Sequence, residues 1–269
     1  MDDANALLPD VIDIARQTGL TILKYFKQDY KIVRKPDNTP VTDADIAAND
    51  FVTKRLTSLT PNIPILSEEG DIYDFATRKK WQIYWLIDPL DGTREFIKNS
   101  NEFSVNIALI SQQKPILGVI HSPKQQSTYY ATHGKAAWKC GKDGKAEKIQ
   151  TRKIKDKISI ISGINSYGSP ILKQFMDNIP NCDLKLMGSS LKSCAVAEGN
   201  FDVYPRFGLT SEWDTAAAQC ILEQAGGGLF DFNMKPLSYN TKDSLLNPSF
   251  LAIGDCDYLW KKLLPLESG

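Results

Sequence analysis

Two aspartates stand close together at the end of a strongly apolar segment. Asp88 and Asp91 follow residues 84–87 (YWLI), and Gly92 and Thr93 come directly after them. Two carboxylates about 4 Å apart repel each other by roughly 4 kcal/mol at an effective dielectric constant near 20. A fold that holds both at a buried edge therefore needs cations, or carboxyl pKa values well above normal.

Further acids occur in three other stretches, and each has a structural interpretation beside a chemical one. The segments 42–45 (TDAD) and 211–214 (SEWD) match a helix capping box, in which the final acid is the third helical residue. Residues 68–70 (EEG) are typical of a plain surface turn. The chemical alternative is a single site that unites these acids with Asp88 and Asp91.

The available donor types favour a hard metal ion. The sequence has only two histidines, His121 and His133, which excludes a histidine-rich zinc site. Its five cysteines are scattered without a CxxC pair, which argues against a disulfide framework. Oxygen donors suit Mg²⁺ or Mn²⁺, and such ions assist phosphate-ester hydrolysis by polarising phosphoryl oxygens and activating water. Gly92 would let the backbone approach a phosphate, and Asp45 is an acid that could orient the Thr93 hydroxyl.

The composition is that of an ordinary globular protein of 269 residues, with 42% hydrophobic and 24% charged residues. Lys plus Arg and Asp plus Glu both number 32, so the surplus of positive charge that nucleic-acid binders carry is missing. No apolar run approaches the roughly 18 residues of a membrane span, and the start (MDDANALLPD) lacks the pattern of a signal peptide. With its scattered cysteines, the chain is expected in the reducing cytosol.

In the first half of the chain, the spacing of apolar residues predicts the helices and strands that must position these acids. Apolar residues at three- and four-residue spacings predict a helix over residues 4–28, and a second helix should run from Thr42 to about Leu59. Apolar runs and alternation predict a sheet with strands at residues 81–88, 103–109, 114–121 and 128–131. A turn should follow the first of these strands at Pro89, and the charged residues 139–157 should form an exposed hairpin at a domain junction.

Beyond residue 157 the pattern changes to alternating strands and helices, the order of an α/β domain. Strands are expected at residues 157–163, 184–187, 201–207, 229–232 and 250–253, and helices at 170–178, 189–197, 213–225 and 258–264. We therefore expect two domains, an N-terminal α+β domain over residues 1–150 and a C-terminal α/β domain over residues 151–269.

Taken together, the motifs resemble those of the inositol monophosphatase superfamily of Mg²⁺-dependent, lithium-sensitive phosphatases. DPLDGT at residues 88–93 carries the resemblance, with EE at 68–69 upstream and WD at 213–214 downstream. Longer segments (DNTPVTDADIAAN, PILSEEG, NEFSVNIALI, GSSLK, YPRFG and EWDTAAAQ) are similar to the branch of 3'(2'),5'-bisphosphate nucleotidases. The resemblance implies a layered αβαβα sandwich of the sugar-phosphatase type, and hydrolysis of adenosine 3',5'-bisphosphate to AMP and phosphate.

The resemblance also implies roles for individual residues. Two to three Mg²⁺ ions, or Mn²⁺, would be held by Glu68, Asp88, the carbonyl of Leu90, Asp91 and Asp214. Asp45 and Thr93, with Glu68 beside them, would orient and deprotonate the attacking water. The backbone N–H groups of Gly92 and Thr93 would bind the scissile phosphate, and Lys35 would be a nearby cation.

The C-terminal domain would bind the nucleoside and the second phosphate through Ser189, Lys192 and Arg206. Four of the metal-binding residues would also contact the substrate: Glu68, Leu90, Asp91 and Asp214. For Lys192 and Arg206 the alternative is solvated surface charge. Inositol monophosphatase or fructose-1,6-bisphosphatase activity stays open because the metal site would be shared, and a nucleotide-binding sensor is the non-enzymatic alternative. The expected partner is a nucleotide bisphosphate. We expect a cytoplasmic monomer or homodimer, with peripheral attachment to the inner membrane left open.

Overall fold

The computed structural model describes residues 2–36, 38–71 and 73–265. The helices are α1 (Asp2–Leu23), α2 (Asp43–Leu59), α3 (Phe75–Arg78), α4 (Thr93–Ile97), α5 (Pro170–Asp177), α6 (Leu191–Ala197) and α7 (Glu212–Gln224). The strands of the first half are β1 (Ile32–Arg34), β2 (Pro40–Thr42), β3 (Ile65–Ser67), β4 (Ile83–Asp91), β5 (Ser104–Ser111), β6 (Lys114–Ser122), β7 (Ser127–Thr132), β8 (Trp138–Cys140) and β9 (Ala146–Lys148). Those of the second half are β10 (Ile158–Ser162), β11 (Cys182–Leu186), β12 (Val203–Arg206), β13 (Gly228–Asp231) and β14 (Phe250–Ile253).

Two large sheets and three groups of helices alternate in five layers, and β1 and β2 form a separate two-stranded sheet. Helices α1 and α2 cover one face of a seven-stranded sheet of order β3-β4-β5-β6-β7-β8-β9. Helices α6 and α7 lie between this sheet and a five-stranded sheet of order β11-β10-β12-β14-β13. The outer face of the second sheet packs against α5 and Trp260. This order confirms the expected αβαβα sandwich.

Strand β5 shows why the first sheet is covered on both sides. Ile107 and Leu109 point into the apolar cluster with α1 and α2, whereas Ala108 and Ile110 belong to the cluster with α6 and α7. Neither face of such a strand meets water, and residues 107–110 of β5 are accordingly all apolar.

Helix α7 approaches the first sheet closely because β6 contains Gly118. A Cβ atom at Gly118 would lie 2.5 Å from the carbonyl oxygen of Ala217, so a larger residue there would force the helix away. Helix α7 contacts β4, β5 and β6 of this sheet, although it comes from the second half of the chain. The first turn of α7, which contains Asp214, is thereby carried to the end of β4.

Strand β4 is longer than the sequence predicted. It continues through Pro89 to Asp91, where we expected a turn. Its register with β5 shifts between Asp88 and Asp91, and proline, which lacks an N–H group, is tolerated at such an irregularity.

Other differences concern element ends and short elements. The first helix ends at Leu23 rather than at residue 28, and the expected closing helix over residues 258–264 is a short 3₁₀ helix, Trp260–Leu263. Strands β1, β2 and β3 and helix α3 were not predicted, because elements of three or four residues are too short to show a periodicity.

The two sheets follow one another along the chain. The seven-stranded sheet ends at Lys148 and the five-stranded sheet begins at Ile158. The division into domains at residues 150 and 151 stays a prediction. Within the described residues, no helix combines the length and the apolar character needed to cross a lipid bilayer.

Candidate active site

Three acidic side chains converge near the end of β4. Glu68, Asp88 and Asp214 each offer a carboxylate oxygen, and these atoms lie within 4.8 Å of one another. The charge of Asp91 acts on both Asp88 and Asp214, and the Ser104 hydroxyl donates a 3.3 Å hydrogen bond to Oδ2 of Asp91. The structure thus brings together the four acids that the sequence analysis assigned to metal binding, and their role as ligands stays a prediction.

The register of β3 explains how Glu68 reaches this acidic cluster. Strand β3 is parallel to β4, with Ser67 opposite Ile87. The backbone N–H of Glu68 donates to the carbonyl oxygen of Ile87 at 3.2 Å. Glu68, which follows Ser67, and Asp88, which follows Ile87, are therefore neighbours. A slip of one residue would turn the Glu68 side chain away, because side chains alternate along a strand.

In the acidic cluster (Glu68, Asp88, Asp91 and Asp214), three carboxyl groups have raised pKa values. Burial, followed by the negative charges of Asp91 and Glu68, raises the pKa of Asp214 to about 8. Burial and the charges of the same neighbours raise the pKa of Asp88 well above its usual range. Burial also raises the pKa of Glu68 to about 7, although the Lys35 ammonium opposes this.

This donor set fits divalent cations. Mg²⁺ and Mn²⁺ prefer oxygen donors, and a positive ion among the carboxylates reverses the repulsion that raises their pKa values. The carbonyl oxygen of Leu90, the predicted backbone donor, is 3.3 Å from the Thr93 hydroxyl and so belongs to the same region. The residues present therefore fit the ions that the resemblance implied.

Asp45 is a helix cap and a partner of Thr93 at the same time. Its Oδ2 accepts hydrogen bonds from the backbone N–H of Thr42 at 2.7 Å and from the Thr42 hydroxyl at 2.5 Å, completing the predicted capping box of α2. Its Oδ1 accepts a 2.8 Å hydrogen bond from the Thr93 hydroxyl. Burial raises the pKa of Asp45, and the hydrogen bonds from Thr42 and Thr93 oppose this. The structural and the chemical interpretations of Asp45 are thus compatible.

Gly92 makes the turn that precedes Thr93. Its φ of 90° lies in the left-handed region, which glycine adopts without strain. A Cβ atom at Gly92 would also lie 3.0 Å from the carbonyl oxygen of Glu102. Helix α4 begins at Thr93 directly after this turn.

Asp214, like Asp45, is a helix cap and a member of the active-site region at the same time. It forms the predicted capping box of α7, with Oδ2 accepting from the backbone N–H of Ser211 at 2.8 Å. Its backbone carbonyl accepts a 2.9 Å hydrogen bond from the Ser190 hydroxyl. The backbone N–H of Ser190 donates to Oδ2 of Asp91, so Ser190 connects two acids of the cluster.

Sequence reasoning missed Ser190 and its partner Asn106. Within the segment GSSLK we singled out Ser189; both serines line the neighbouring cleft, and Ser190 also contacts the acids. The side-chain amide of Asn106 donates a 2.9 Å hydrogen bond to the Ser190 hydroxyl. A polar residue inside the otherwise apolar strand β5 was the signal that could have identified Asn106.

Lys35 is closer to the acids than the sequence suggested. Its ammonium forms ion pairs with Oε1 of Glu68 at 3.0 Å and with Oε1 of Glu69 at 2.5 Å. This contact supplies a fixed positive charge at the edge of the acidic cluster and partly offsets the repulsion among its carboxylates.

A cleft adjoins the acidic cluster and contains the predicted substrate residues. Its lining includes Asp91, Gly92 and Asp214 from the region of the acidic cluster, together with Ser189, Lys192 and Arg206. Lys192 is only 6% exposed, with its ammonium 4.9 Å from the ring centre of Tyr204 and donating to the carbonyl of Ser189. Arg206 is half-buried and donates to the carbonyls of Gly208 at 3.2 Å and Leu209 at 2.9 Å. Lys192 is therefore not a solvated surface charge, whereas the hydrogen bonds of Arg206 lie at the surface.

Comparison with known proteins agrees with this fold and site. The sequence profile of the inositol monophosphatase family matches residues 5–263, and the chain therefore belongs to that family.

Individual relatives and a solved structure show which members of the family the chain resembles. The 3'(2'),5'-bisphosphate nucleotidase CysQ of Aggregatibacter actinomycetemcomitans is 42% identical over 259 residues, which cover 96% of each chain. CysQ of Escherichia coli K12 is 44% identical over 246 residues, 91% of this chain and 98% of the relative. The crystal structure of CysQ from Bacteroides thetaiotaomicron matches with a TM-score of 0.80 at 36% identity, covering 91% of this chain and 96% of the other.

Proposed function

We propose that the protein is a Mg²⁺-dependent phosphatase that hydrolyses adenosine 3',5'-bisphosphate to AMP and phosphate. The observation that carries this proposal is the hydrogen bond from Thr93 to Asp45 beside the acidic cluster, next to a cleft whose lining includes two cations, Lys192 and Arg206. The names of the relatives that are 42% and 44% identical over most of the chain support the nucleotide as substrate.

Five residues would hold two or three Mg²⁺ ions: Glu68, Asp88, Asp91 and Asp214 through carboxylates, and Leu90 through its carbonyl. Mn²⁺ fits the same oxygen donors. When bound, such ions polarise phosphoryl oxygens, lower the pKa of water and stabilise the leaving oxygen. Within this assembly Lys35 would keep Glu68 oriented through their 3.0 Å ion pair.

The Thr93–Asp45 pair would activate the attacking water. Since the Thr93 hydroxyl donates its own proton to Asp45, its lone pairs are free to accept a hydrogen bond from water. The proton of water would pass to the Thr93 oxygen while the Thr93 proton moves to Asp45. The raised pKa of Asp45 makes this carboxylate a better general base. Water attacks phosphorus directly, so no covalent phospho-enzyme forms.

The remaining groups would hold the substrate. The backbone N–H groups of Gly92 and Thr93 would bind the scissile phosphate, and Ser189, Lys192 and Arg206 would bind the nucleoside and the second phosphate. In this scheme residues 1–150 form the catalytic domain and residues 151–269 the substrate-binding domain, to which Asp214 belongs by sequence. A monomer or homodimer in the cytoplasm would carry out this reaction.

The decisive experiment measures phosphate release from three substrates with and without Mg²⁺. Adenosine 3',5'-bisphosphate, inositol 1-phosphate and fructose 1,6-bisphosphate are compared at equal concentration, and the nucleotide product is identified by chromatography. We expect Mg²⁺-dependent turnover to be fastest with the adenosine bisphosphate, with 5'-AMP as product. Faster turnover of either sugar phosphate would reject the substrate assignment, and binding of the nucleotide without phosphate release would indicate a sensor.

A further inference from the structure

Five buried side-chain polar atoms have no hydrogen-bond partner among the described residues, and three of them belong to residues whose charges act on one another. These three are Nε of Arg78, the hydroxyl oxygen of Tyr84 and Oε1 of Glu212. The three residues are 1%, 2% and 1% exposed. A buried polar atom without a partner costs about 1–3 kcal/mol, so three of them at one place call for a physical explanation.

The electrostatics indicate that these residues are neighbours. Burial and then the negative charge of Glu212 raise the pKa of the Tyr84 phenol, while the charge of Arg78 opposes this. Arg78 and Glu212 are nevertheless not in direct ion-pair contact within the described residues.

Asn240 connects the two charged residues from the other side. An N–H of Arg78 donates to the side-chain oxygen of Asn240 at 2.6 Å, and the side-chain amide of Asn240 donates to the Arg78 carbonyl at 2.6 Å. The backbone N–H of Asn240 donates to Oε2 of Glu212 at 2.8 Å. A second guanidinium nitrogen of Arg78 donates to the Asp243 carbonyl. Asn240 has φ of 56°, a left-handed conformation that these contacts hold in place.

The assembly joins the two elements that supply the acidic cluster. Glu212 is the first residue of α7, in the same turn as Asp214. Tyr84 lies on β4, the strand that contains Asp88. Arg78 ends α3, which precedes β4, so the network ties the start of α7 to the strand whose carboxylate it must meet.

We propose that Arg78, Glu212 and Asn240 are positioning residues for Asp214, and that one buried water molecule joins Arg78 and Tyr84 to Glu212. Nε–H of Arg78 and the hydroxyl of Tyr84 donate to the water oxygen, and the water donates to Oε1 of Glu212. Three hydrogen bonds are typical of a buried water, and this arrangement satisfies all three unpartnered atoms. The part that concerns cation binding at Asp214 rests on the proposed function.

The test compares Glu212→Gln with Glu223→Gln, the same substitution near the other end of α7, where the carboxylate accepts from Gln219 at 2.8 Å. The readouts are the Mg²⁺-induced rise in melting temperature and the Mg²⁺ concentration at half-maximal activity. Loss of a group that orients a metal ligand costs 10–100-fold in metal affinity. We expect both readouts to shift to at least about tenfold higher Mg²⁺ in Glu212→Gln, with kcat at saturating Mg²⁺ within about threefold of wild type. Glu223→Gln should match wild type.

A second variant covers the case in which Glu212→Gln fails to fold. Arg78→Lys keeps the positive charge but loses the geometry that reaches Asn240 and Asp243 together, and it should shift the Mg²⁺ dependence in the same direction. Unchanged Mg²⁺ dependence in a folded Glu212→Gln or Arg78→Lys variant overturns the positioning role. If wild type itself shows no Mg²⁺-induced stabilisation, the proposed function fails instead.

The water is tested by crystallography of the wild-type protein and of Tyr84→Phe. We expect an ordered water within about 3.2 Å of all three atoms in wild type. The same water should weaken or vanish in Tyr84→Phe, since it loses one partner. Clear density without a water at this place in wild type overturns this part of the proposal.

Discussion

Thr93 and Asp45 are joined by a 2.8 Å hydrogen bond from the threonine hydroxyl to Oδ1 of the aspartate. The other oxygen of Asp45 accepts from the backbone and hydroxyl of Thr42, which fixes the rotation of the carboxylate. One side chain therefore begins helix α2 and presents an acceptor to Thr93. Because the cap is rigid, the acceptor for the Thr93 proton is already in place before substrate binds.

Asp45→Asn should separate these two roles. An amide oxygen can still accept from Thr42, so the melting temperature should fall by only a few degrees, corresponding to about 1 kcal/mol. The amide cannot take up a proton from Thr93, and we expect kcat to fall by about 10²–10⁴-fold with little change in KM. Steady-state phosphate release measures both constants.

Asp43→Asn is the matched control for this prediction. Asp43 lies two residues earlier in the same helix turn, is exposed, and accepts from the backbone N–H of Lys31 at 2.9 Å. Its activity should stay within about twofold of wild type. Equal losses of kcat in Asp43→Asn and Asp45→Asn would show that the effect comes from the helix and not from the dyad.

Asp88→Asn should abolish activity yet stabilise the metal-free protein. Burial, followed by the negative charges around Asp88, raises its pKa in the folded state, so its ionised form disfavours folding at neutral pH, and removing the charge relieves this. We expect turnover to fall at least about 100-fold, since the substitution removes a predicted ligand. Melting temperature without Mg²⁺ should rise, and Mg²⁺ should add less stability than in wild type.

Asp202→Asn should have the opposite effect on the stability of the folded protein. Asp202 is equally buried, but it pairs with Arg152 at 2.7 and 2.8 Å and accepts from the backbone N–H of Ser159 at 2.7 Å. Its loss should destabilise the protein by about 1–3 kcal/mol in urea unfolding at pH 7. A lower melting temperature of metal-free Asp88→Asn would contradict the idea that the acidic cluster lacks compensating charge.

Lys192→Ala should weaken recognition of the second phosphate. A hydrogen bond to a charged group contributes about 1.5–3 kcal/mol, so KM for adenosine 3',5'-bisphosphate should rise about 10–100-fold. KM for a monophosphate such as 3'-AMP should change far less. The control is Lys185→Ala, since Lys185 is an exposed lysine on strand β11. This substitution should leave both KM values unchanged. Equal effects of Lys192→Ala on the two substrates would remove its role in specificity.

His121 should make folding sensitive to mild acid. Burial, followed by the charge of Arg16, lowers the pKa of His121 to about 4 from its ordinary value of 6.5. Above pH 6.5 the imidazole is neutral in both the folded and the unfolded state, so it adds no pH dependence to the free energy of unfolding. Between pH 6.5 and 4 the unfolded chain binds a proton that the folded protein does not, so folding weakens by up to about 3 kcal/mol as the pH falls.

His121→Gln should remove this part of the pH dependence. Urea unfolding at several pH values between 7 and 4.5 should give a flatter curve for the variant than for wild type. His133→Gln, at the other histidine, which is exposed, should keep the wild-type slope. A wild-type slope in His121→Gln would assign the acid sensitivity to the carboxyl groups instead.

Local signals in the sequence predicted much of the scaffold. The capping boxes at residues 42–45 and 211–214 are both present, because a cap depends on side chains three residues apart. The strands β5, β6 and β7 followed from apolar runs of adequate length. The extension of β4 through Pro89 was not predicted, because the irregularity that tolerates proline depends on pairing with β5.

The sequence by itself determined which side chains can bind a cation and where helices α2 and α7 begin. Only the tertiary structure decided that Glu68 lies beside Asp88, through the parallel register of β3 with β4, and that Ser190 connects Asp91 to Asp214. The reason is physical: caps and periodicity depend on near neighbours in the chain, whereas strand register and helix packing depend on complementary surfaces from distant segments.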